Sequence, residues 1–168
     1  MAILEVVPMG NPVLHQKAKR VGNINNSVQK LIDDMIDTMR YTNGVGLAAP
    51  QVGIPLQVIV IELPDVDDVI TLINPEVVKR SGERELTEGC LSLPGYRGEI
   101  KRSESVIVKG RDRQGKQIRI KADGLLAHAL EHEIDHVNGI VYVDHLDDKD
   151  KLYKIEPEHE DEDSVNHI

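Results

Sequence analysis

The sequence contains no phenylalanine and no tryptophan, and only four tyrosines. Val, Ile and Leu must therefore fill the interior. A stacking platform for single-stranded nucleic acid, which works through aromatic rings, is excluded. A basic excess is missing as well: 20 Lys and Arg stand against 29 Asp and Glu, a net charge of −9. A phosphate backbone demands a cationic surface, so no specific nucleic-acid partner is expected. One cysteine leaves no internal disulfide, and the cytoplasm is the default compartment for such a chain. No apolar run approaches the ~20 residues that span a bilayer, so no membrane partner is expected. The opening stretch, MAILEVVPMGNPVLHQKAKR, lacks the charged start, apolar core and small-residue cleavage site of a signal peptide. It is equally poor in the Ser and Arg of an organelle transit peptide.

What is present suits a soluble folded protein. The chain has 168 residues, of which 40% are hydrophobic and 29% charged, enough to bury a proper core. No repeat or linker divides it, so residues 1–154 are read as a single domain. Residues 155–168 (IEPEHEDEDSVNHI) are acidic, contain Pro157 and show no apolar period, the pattern of a mobile tail.

Val28, Leu31, Ile32, Met35, Ile36 and Met39 recur at helical spacing, which predicts an N-terminal helix from about Asn25 to Tyr41. Asn25, Asn26 or Ser27 can cap it, and Asn43-Gly44 ends it. A Gly-rich loop follows, GVGLAAPQVGIP, where both periodicities fail. Strands are predicted at Gln57–Glu62, Val69–Ile73, Ser105–Lys109 and Gln117–Ile120, with Asp112-Arg113-Gln114-Gly115 as a hairpin turn. A second helix is predicted from Gly124 to Val137, with Asp123 as N-cap and Gly139 beyond its end. The fold class is α+β, with mixed and antiparallel strands wrapped around that central helix.

The second helix carries His132-Glu133-Ile134-Asp135-His136. Histidines four residues apart lie one above the other on a helix, so both imidazoles can reach one metal ion. Glu133 is turned about 100° from His132 and can act on a water without competing for the metal. That is the layout of metal-assisted hydrolysis. Such His pairs also arise by chance on polar helix faces, but here the neighbours are apolar, where an unliganded pair is expensive to bury. A catalytic ion wants a third protein ligand. Continuation as His-x-x-Gly-x-x-His would place it at position 142, which holds Tyr142. Glu156 stands at the distance of a thermolysin-like third ligand, in a segment that reads as a poor helix. Cys90 is the other candidate. A lone cysteine is usually a small core residue, but Glu88 and Gly89 beside it mark a special backbone rather than a core strand.

Three separated segments resemble the signature motifs of the peptide deformylases: Gly44-Val45-Gly46-Leu47-Ala48-Ala49-Pro50-Gln51, Glu88-Gly89-Cys90-Leu91-Ser92, and His132-Glu133-Ile134-Asp135-His136. They occur in the family's order and spacing, and the likeness runs from about Asn11 to Asp144. The resemblance implies a hydrolase that removes the formyl group from N-terminal formylmethionine of new proteins and releases formate. It implies that Cys90, His132 and His136 hold one divalent metal ion, commonly Fe²⁺ in this family, with Zn²⁺, Ni²⁺ or Co²⁺ also accommodated. A ferrous site with a thiolate ligand is expected to lose activity in air.

By the same resemblance Glu133 is the proton carrier, while the Gln51 amide and the Leu91 backbone N–H polarise the formyl carbonyl. Gly46 offers main-chain hydrogen bonds to an extended peptide. Substrate contacts are further implied for Val45, Glu88, Gly89, Arg97, Leu125, His128 and Ala129, around the methionine side chain. His128 departs from the apolar residue usual at its place, and Glu131 replaces a common Gln, adding negative charge near the site. The chain also lacks the basic C-terminal helix by which some bacterial members dock on the ribosome, and an acidic tail would be repelled by ribosomal RNA. Formylmethionyl termini of nascent chains are the implied partners, with at most a transient ribosome contact. Two rival readings are a thermolysin-like peptidase using Glu156 and a deformylase-like domain that binds without turnover.

Overall fold

The computed structural model describes residues 2–146 and 151–155. Helix α1 spans Asn26–Tyr41. It starts where the Asn25 side chain accepts the Val28 N–H at 3.0 Å, satisfying a donor that the first turn leaves open. It stops at Asn43, whose φ of 56° is one that asparagine tolerates. Both ends agree with the sequence reading. The strands are β1 Gly46–Ala48, β2 Val58–Ile61, β3 Ile70–Ser81, β4 Arg84–Cys90, β5 Leu93–Arg102, β6 Ser105–Arg111, β7 Gln117–Asp123 and β8 Leu152–Lys154. Helix α2, Gly124–Val137, lies between β7 and β8, and single 3-10 turns occupy Pro12–His15, Ala49–Val52 and Tyr142–His145.

Strands β1-β2-β3-β6-β7 form one sheet and β4-β5-β8 a second. Every ladder is antiparallel; among the described residues the only parallel pairing is the isolated Lys19–Leu56 bridge. The larger sheet is covered on both faces at one end. Ile59, Ile61 and Leu72 pack with Leu130 and Ile134 of α2, while Val58, Val60 and Ile73 pack with Ile32, Met35 and Met39 of α1. That is why β2 reads as an unbroken apolar run rather than an alternating one. Strands β6 and β7 contribute nothing to the α1 cluster, so their α1-side face is open to solvent. A third cluster joins Leu14, Cys90, Ile100, Val141 and Tyr142 around the smaller sheet.

Several sequence expectations need correction. The β6–β7 turn is as expected: Gly115 has φ 88° and the Asp112 carboxylate accepts the Gln114 and Lys116 N–H groups at 2.9 Å. β3, however, runs on to Ser81, and the β4–β5 hairpin was not anticipated at all. β4 and β5 alternate half-buried and exposed positions and are rich in charge (RELTEG, YRGEIKR), which masks their apolar face. Cys90 is the last residue of β4, not a residue outside a strand; what is special is the register shift between Glu88 and Cys90. The Gly-rich loop contains β1 and a 3-10 turn. Asp123 sits at the N-cap of α2, but its side chain makes no capping bond. At the other end of α2 Gly139 is required twice over, by a φ of 77° and because a Cβ would lie 2.7 Å from the Gln16 carbonyl carbon. The expected tail begins too early: Ile155 is buried and its N–H bonds to Gly95 O at 2.8 Å. Residues 156–168, and with them Glu156, lie outside the described residues.

Candidate metal centre

Every residue of α2 from Ala127 to Val137 is buried, because this helix runs between the two sheets and is covered all round. A helix in that position would normally be apolar throughout. This one carries His128, Glu131, His132, Glu133, Asp135 and His136 into the interior, and each needs a reason to be there.

His132 and His136 project from one side of the helix, with their Nε2 atoms 3.1 Å apart. The Cys90 Sγ, carried in by the end of β4, lies 3.5 Å from His136 Nε2. The three potential ligand atoms all fall within 4.8 Å of one another, and all three residues are buried. Ligands bound at 2.0–2.3 Å around a tetrahedral ion stand about 3.3–3.8 Å apart, so the cluster has the dimensions of a metal site. Its chemistry agrees. Burial pushes the Cys90 thiol well up, reinforced by the charges of Glu133 and Glu88, a balance that a neighbouring dication reverses. Burial, then the charge of His132, holds His136 well below the ordinary histidine range, keeping it neutral with a lone pair to donate. Cys90, His132 and His136 thus form a site for a divalent metal ion.

Behind the ligands lies a network of buried charge. His132 Nδ1 donates to Glu88 Oε2 at 2.7 Å, which leaves Nε2 as the ligating atom. Glu88 in turn receives Arg102 Nε and Nη2 at 3.0 and 2.8 Å, and His128 Nε2 on its other oxygen. Arg102 Nη1 also donates to Asp135 Oδ2 at 2.7 Å, and His145 meets that same oxygen at 2.8 Å. Burial alone would raise the Glu88 carboxyl, but His132, His128 and Arg102 outweigh it and hold it well below the usual range. Glu88 is fully buried. The resemblance had placed it near a substrate pocket; here it stands beneath His132 and orients that ring. The Glu131 carboxylate, next to His132 in sequence, accepts the Ser103 N–H at 2.8 Å, the Ser103 hydroxyl at 3.1 Å and Arg80 Nε at 3.1 Å.

Glu133 contrasts with all of these. Both its oxygens are buried and neither has a hydrogen-bond partner among the described residues. Burial, then the Glu88 charge, raises its carboxyl well above the usual range. Gly46 explains how it fits: a Cβ there would lie 2.6 Å from Glu133 Oε2. Gln51 is locked in place, its Oε1 accepting the Ala48 N–H at 3.0 Å while its Nε2 points at Cys90 Sγ and Ser92 Oγ, each at 3.4 Å. Leu91 follows Cys90 in the β4–β5 turn, and its side chain packs over Gly44.

The remaining residues scatter more widely. Val45 and Ala129 are buried and Leu125 is half-buried. Val45 lines a cleft of about 430 Å³ with Arg40, Leu63 and Val66, whereas Leu125 lines a neighbouring cleft of about 480 Å³ that shares Leu63. Arg97 is buried with its guanidinium against Gly89, and it donates to Tyr96 O at 2.9 Å. His128 turns onto Glu88 rather than standing open. Arg102, Asp135 and Leu63 were not picked out from the sequence. A buried arginine inside a charged strand gives no signal until its partners, distant in sequence, are seen.

A thiol, two imidazoles and a buried carboxylate unpaired among the described residues, gathered on one helix and one strand end of an α+β scaffold, define a metallohydrolase. The model of the polypeptide deformylase family matches residues 3–152. The peptide deformylase of Dehalococcoides mccartyi (strain CBDB1) is 52% identical over 160 residues, covering 95% of this chain and 96% of that protein. That of Thermodesulfovibrio yellowstonii is 52% identical over 149 residues, covering 87% and 90%. Among solved structures, the peptide deformylase of Legionella pneumophila superposes with a TM-score of 0.84 at 46% identity, covering 86% of each chain. The Synechococcus elongatus peptide deformylase, solved with actinonin, gives 0.84 at 42% identity, covering 88% of this chain and 81% of that one. The chain belongs to the polypeptide deformylase family and is an enzyme. No helix among the described residues is long and apolar enough to cross a membrane.

Proposed function

We propose that this enzyme hydrolyses the N-formyl group of formylmethionyl termini on newly synthesised proteins, giving formate and a free α-amine. The observation that carries the reading is Glu133, a buried carboxylate without a hydrogen-bond partner among the described residues, set one residue from His132 in the metal-binding cluster. Cys90, His132 and His136 would hold the ion, which when bound supplies Lewis acidity at the formyl carbonyl and makes water more acidic. Glu133 takes a proton from the attacking water and delivers it to the departing amine nitrogen. Gln51 Nε2 and the Leu91 N–H donate to the oxygen that gains charge, each worth about 3 kcal/mol of transition-state stabilisation. β1 is an edge strand of its sheet, and an extended substrate can add to it beside Gly46. Val45, Leu125, His128 and Ala129 would surround the methionine side chain, with Gly89 and Arg97 shaping the turn beside it.

A thiolate with two imidazoles suits several first-row metals; Fe²⁺ is the ion assigned here, with Zn²⁺, Ni²⁺ and Co²⁺ as substitutes. The proposed setting is the cytoplasm, with transient contact to translating ribosomes. Anaerobic purification, metal analysis and a formate-release assay on formyl-Met-Ala-Ser test the proposal, with Glu133→Ala alongside. Formate release that is lost in Glu133→Ala supports it; fully metal-loaded protein that releases no formate refutes it.

A further inference from the structure

The half of the larger sheet that α1 leaves uncovered carries five cations, Lys79, Lys109, Arg111, Arg119 and Lys121, against two carboxylates, Glu76 and Asp123. Cross-strand partners in an antiparallel ladder share a face. Lys79 stands opposite Ile107, which stands opposite Lys121; Glu76 stands opposite Lys109, which stands opposite Arg119. Val77, Val106, Val108, Ile120 and Ala122, at the alternate positions, pack in the α2 cluster, so these rows point outward. Lys79, Lys109, Arg119 and Lys121 are all exposed. Arg111 extends the face, bonded to the backbone carbonyls of Gly22 and Gly115 at 3.2 and 3.4 Å.

Acidic groups share the face and border it. Glu76 lies 3.6 Å from Lys109, Asp112 caps the β6–β7 turn, Asp33 is taken by Arg113 at 2.9 Å, and Glu104 and Asp123 sit at the strand ends. On a chain of net charge −9, this concentration of cations is a local reversal of sign. It also works against the fold, because like charges directly opposite one another, as Lys109 and Arg119 are, destabilise a ladder.

We propose that this face docks the phosphate backbone of double-stranded RNA. The face is three strands wide, about 10 Å across at 4.7–4.9 Å per strand. It has no aromatic ring on which a single strand could stack. None of the exposed large hydrophobic residues, Ile3, Tyr41, Ile54, Val66 and Tyr153, lies on it, so it lacks the apolar anchors of a membrane-surface element. Duplex RNA is recognised by shape and phosphate position without reading bases, which is what a patch of long, mobile cations on a rigid sheet can do. The contact is electrostatic and sequence-independent, and it does not depend on the deformylase reading.

The test uses the full chain and a fluorescent RNA duplex of about 16 base pairs and arbitrary sequence, titrated by anisotropy between about 50 and 200 mM KCl. Binding with a log–log salt slope of roughly −3 to −4 is expected for four phosphate contacts. Lys109→Glu with Arg119→Glu, and separately Lys79→Glu with Lys121→Glu, should each reduce that slope by about 2 and weaken binding about tenfold or more. The Gln versions should show the same direction more mildly. Lys101→Glu with Lys154→Glu, exposed on the smaller sheet, should leave the slope unchanged, and formate release from a short peptide should be unaffected in the Lys109 and Arg119 variants. Circular dichroism confirms folding of each variant. Absence of salt-dependent binding, or binding that survives both reversals, overturns the proposal. Tighter, reversal-sensitive binding to anionic vesicles or to polyglutamate overturns it as well, by giving the face to a membrane or an acidic protein.

Discussion

Replacing Arg102 by Met would cut the charge network that holds the metal ligands. Arg102 is buried and donates three hydrogen bonds, two to Glu88 and one to Asp135, between 2.7 and 3.0 Å. Removing one partner of a buried ionic group typically costs 3–5 kcal/mol, because the other charges stay buried. Here neither carboxylate is left bare: Glu88 keeps His132 and His128, and Asp135 keeps His145. The loss should therefore fall at the lower end, about 3 kcal/mol, out of a total that is ordinarily 5–15 kcal/mol. Because Glu88 orients His132, metal affinity should also fall about 10- to 100-fold, the usual effect of losing an outer partner of a ligand. Urea unfolding of the metal-loaded protein measures the first quantity, and competition with a chromophoric chelator the second. Arg102→Lys, which keeps the charge but not the fork, should lie between the two proteins on both scales. A stability change below about 1 kcal/mol would show that the network adds nothing to the fold. An unchanged metal affinity would show that Arg102 does not act on the metal ligands through Glu88.

Gly46→Ala should leave the fold intact, since β1 is a three-residue edge strand, yet lower kcat by about 100-fold. The new methyl displaces the Glu133 carboxylate, and an error near 1 Å at a reacting group costs about that much; wild-type kcat in a formate assay would contradict this. Tyr142 is almost fully buried and its hydroxyl has no partner among the described residues, so Tyr142→Phe should raise stability by about 1 kcal/mol in denaturant titrations rather than lower it. His128→Ile should alter the ratio of rates on formyl-Met and formyl-norleucine peptides; an unchanged ratio excludes His128 from the side-chain pocket. The Lys30 ammonium and the Ala2 N–H, bonded to Asp34 at 2.7 and 2.8 Å, lower its carboxyl pKa. The stability it contributes is therefore present above the unfolded value near ~3.9 and is lost as pH falls through its lower folded value. The gap between wild type and Asp34→Asn should be constant near neutrality and close only in acid.

Both helices were legible to within a residue because their signals are local: Asn25 and Asn43 at the ends of α1, an apolar stripe within it, and Gly139 after α2. The β6–β7 hairpin was legible for the same reason, through Asp112 and Gly115. β4 and β5 were not, because a hairpin with one half-exposed, charged face carries no clean alternation. The metal cluster could be read in part, since His132 and His136 reveal their geometry through spacing alone. Cys90 needed the resemblance to separate it from Glu156, because a strand end and a helix meet only in the folded chain. Glu88, Arg102 and Asp135 were the hardest. A buried charge is tolerable only when its partners arrive, and those partners are 14, 33 and 44 residues away.

β1 offers an incoming chain a ladder only three residues long. With each backbone hydrogen bond worth about 0.5–1.5 kcal/mol net, such an edge can hold an extended peptide only weakly and almost without regard to its sequence. A processing enzyme that must serve every new polypeptide gains from that brevity, because the chain it has finished with slides away as readily as the next one arrives. The short edge, whose three residues are all buried, also gives a second copy of the protein too little backbone to pair with, and so is kept from seeding aggregation.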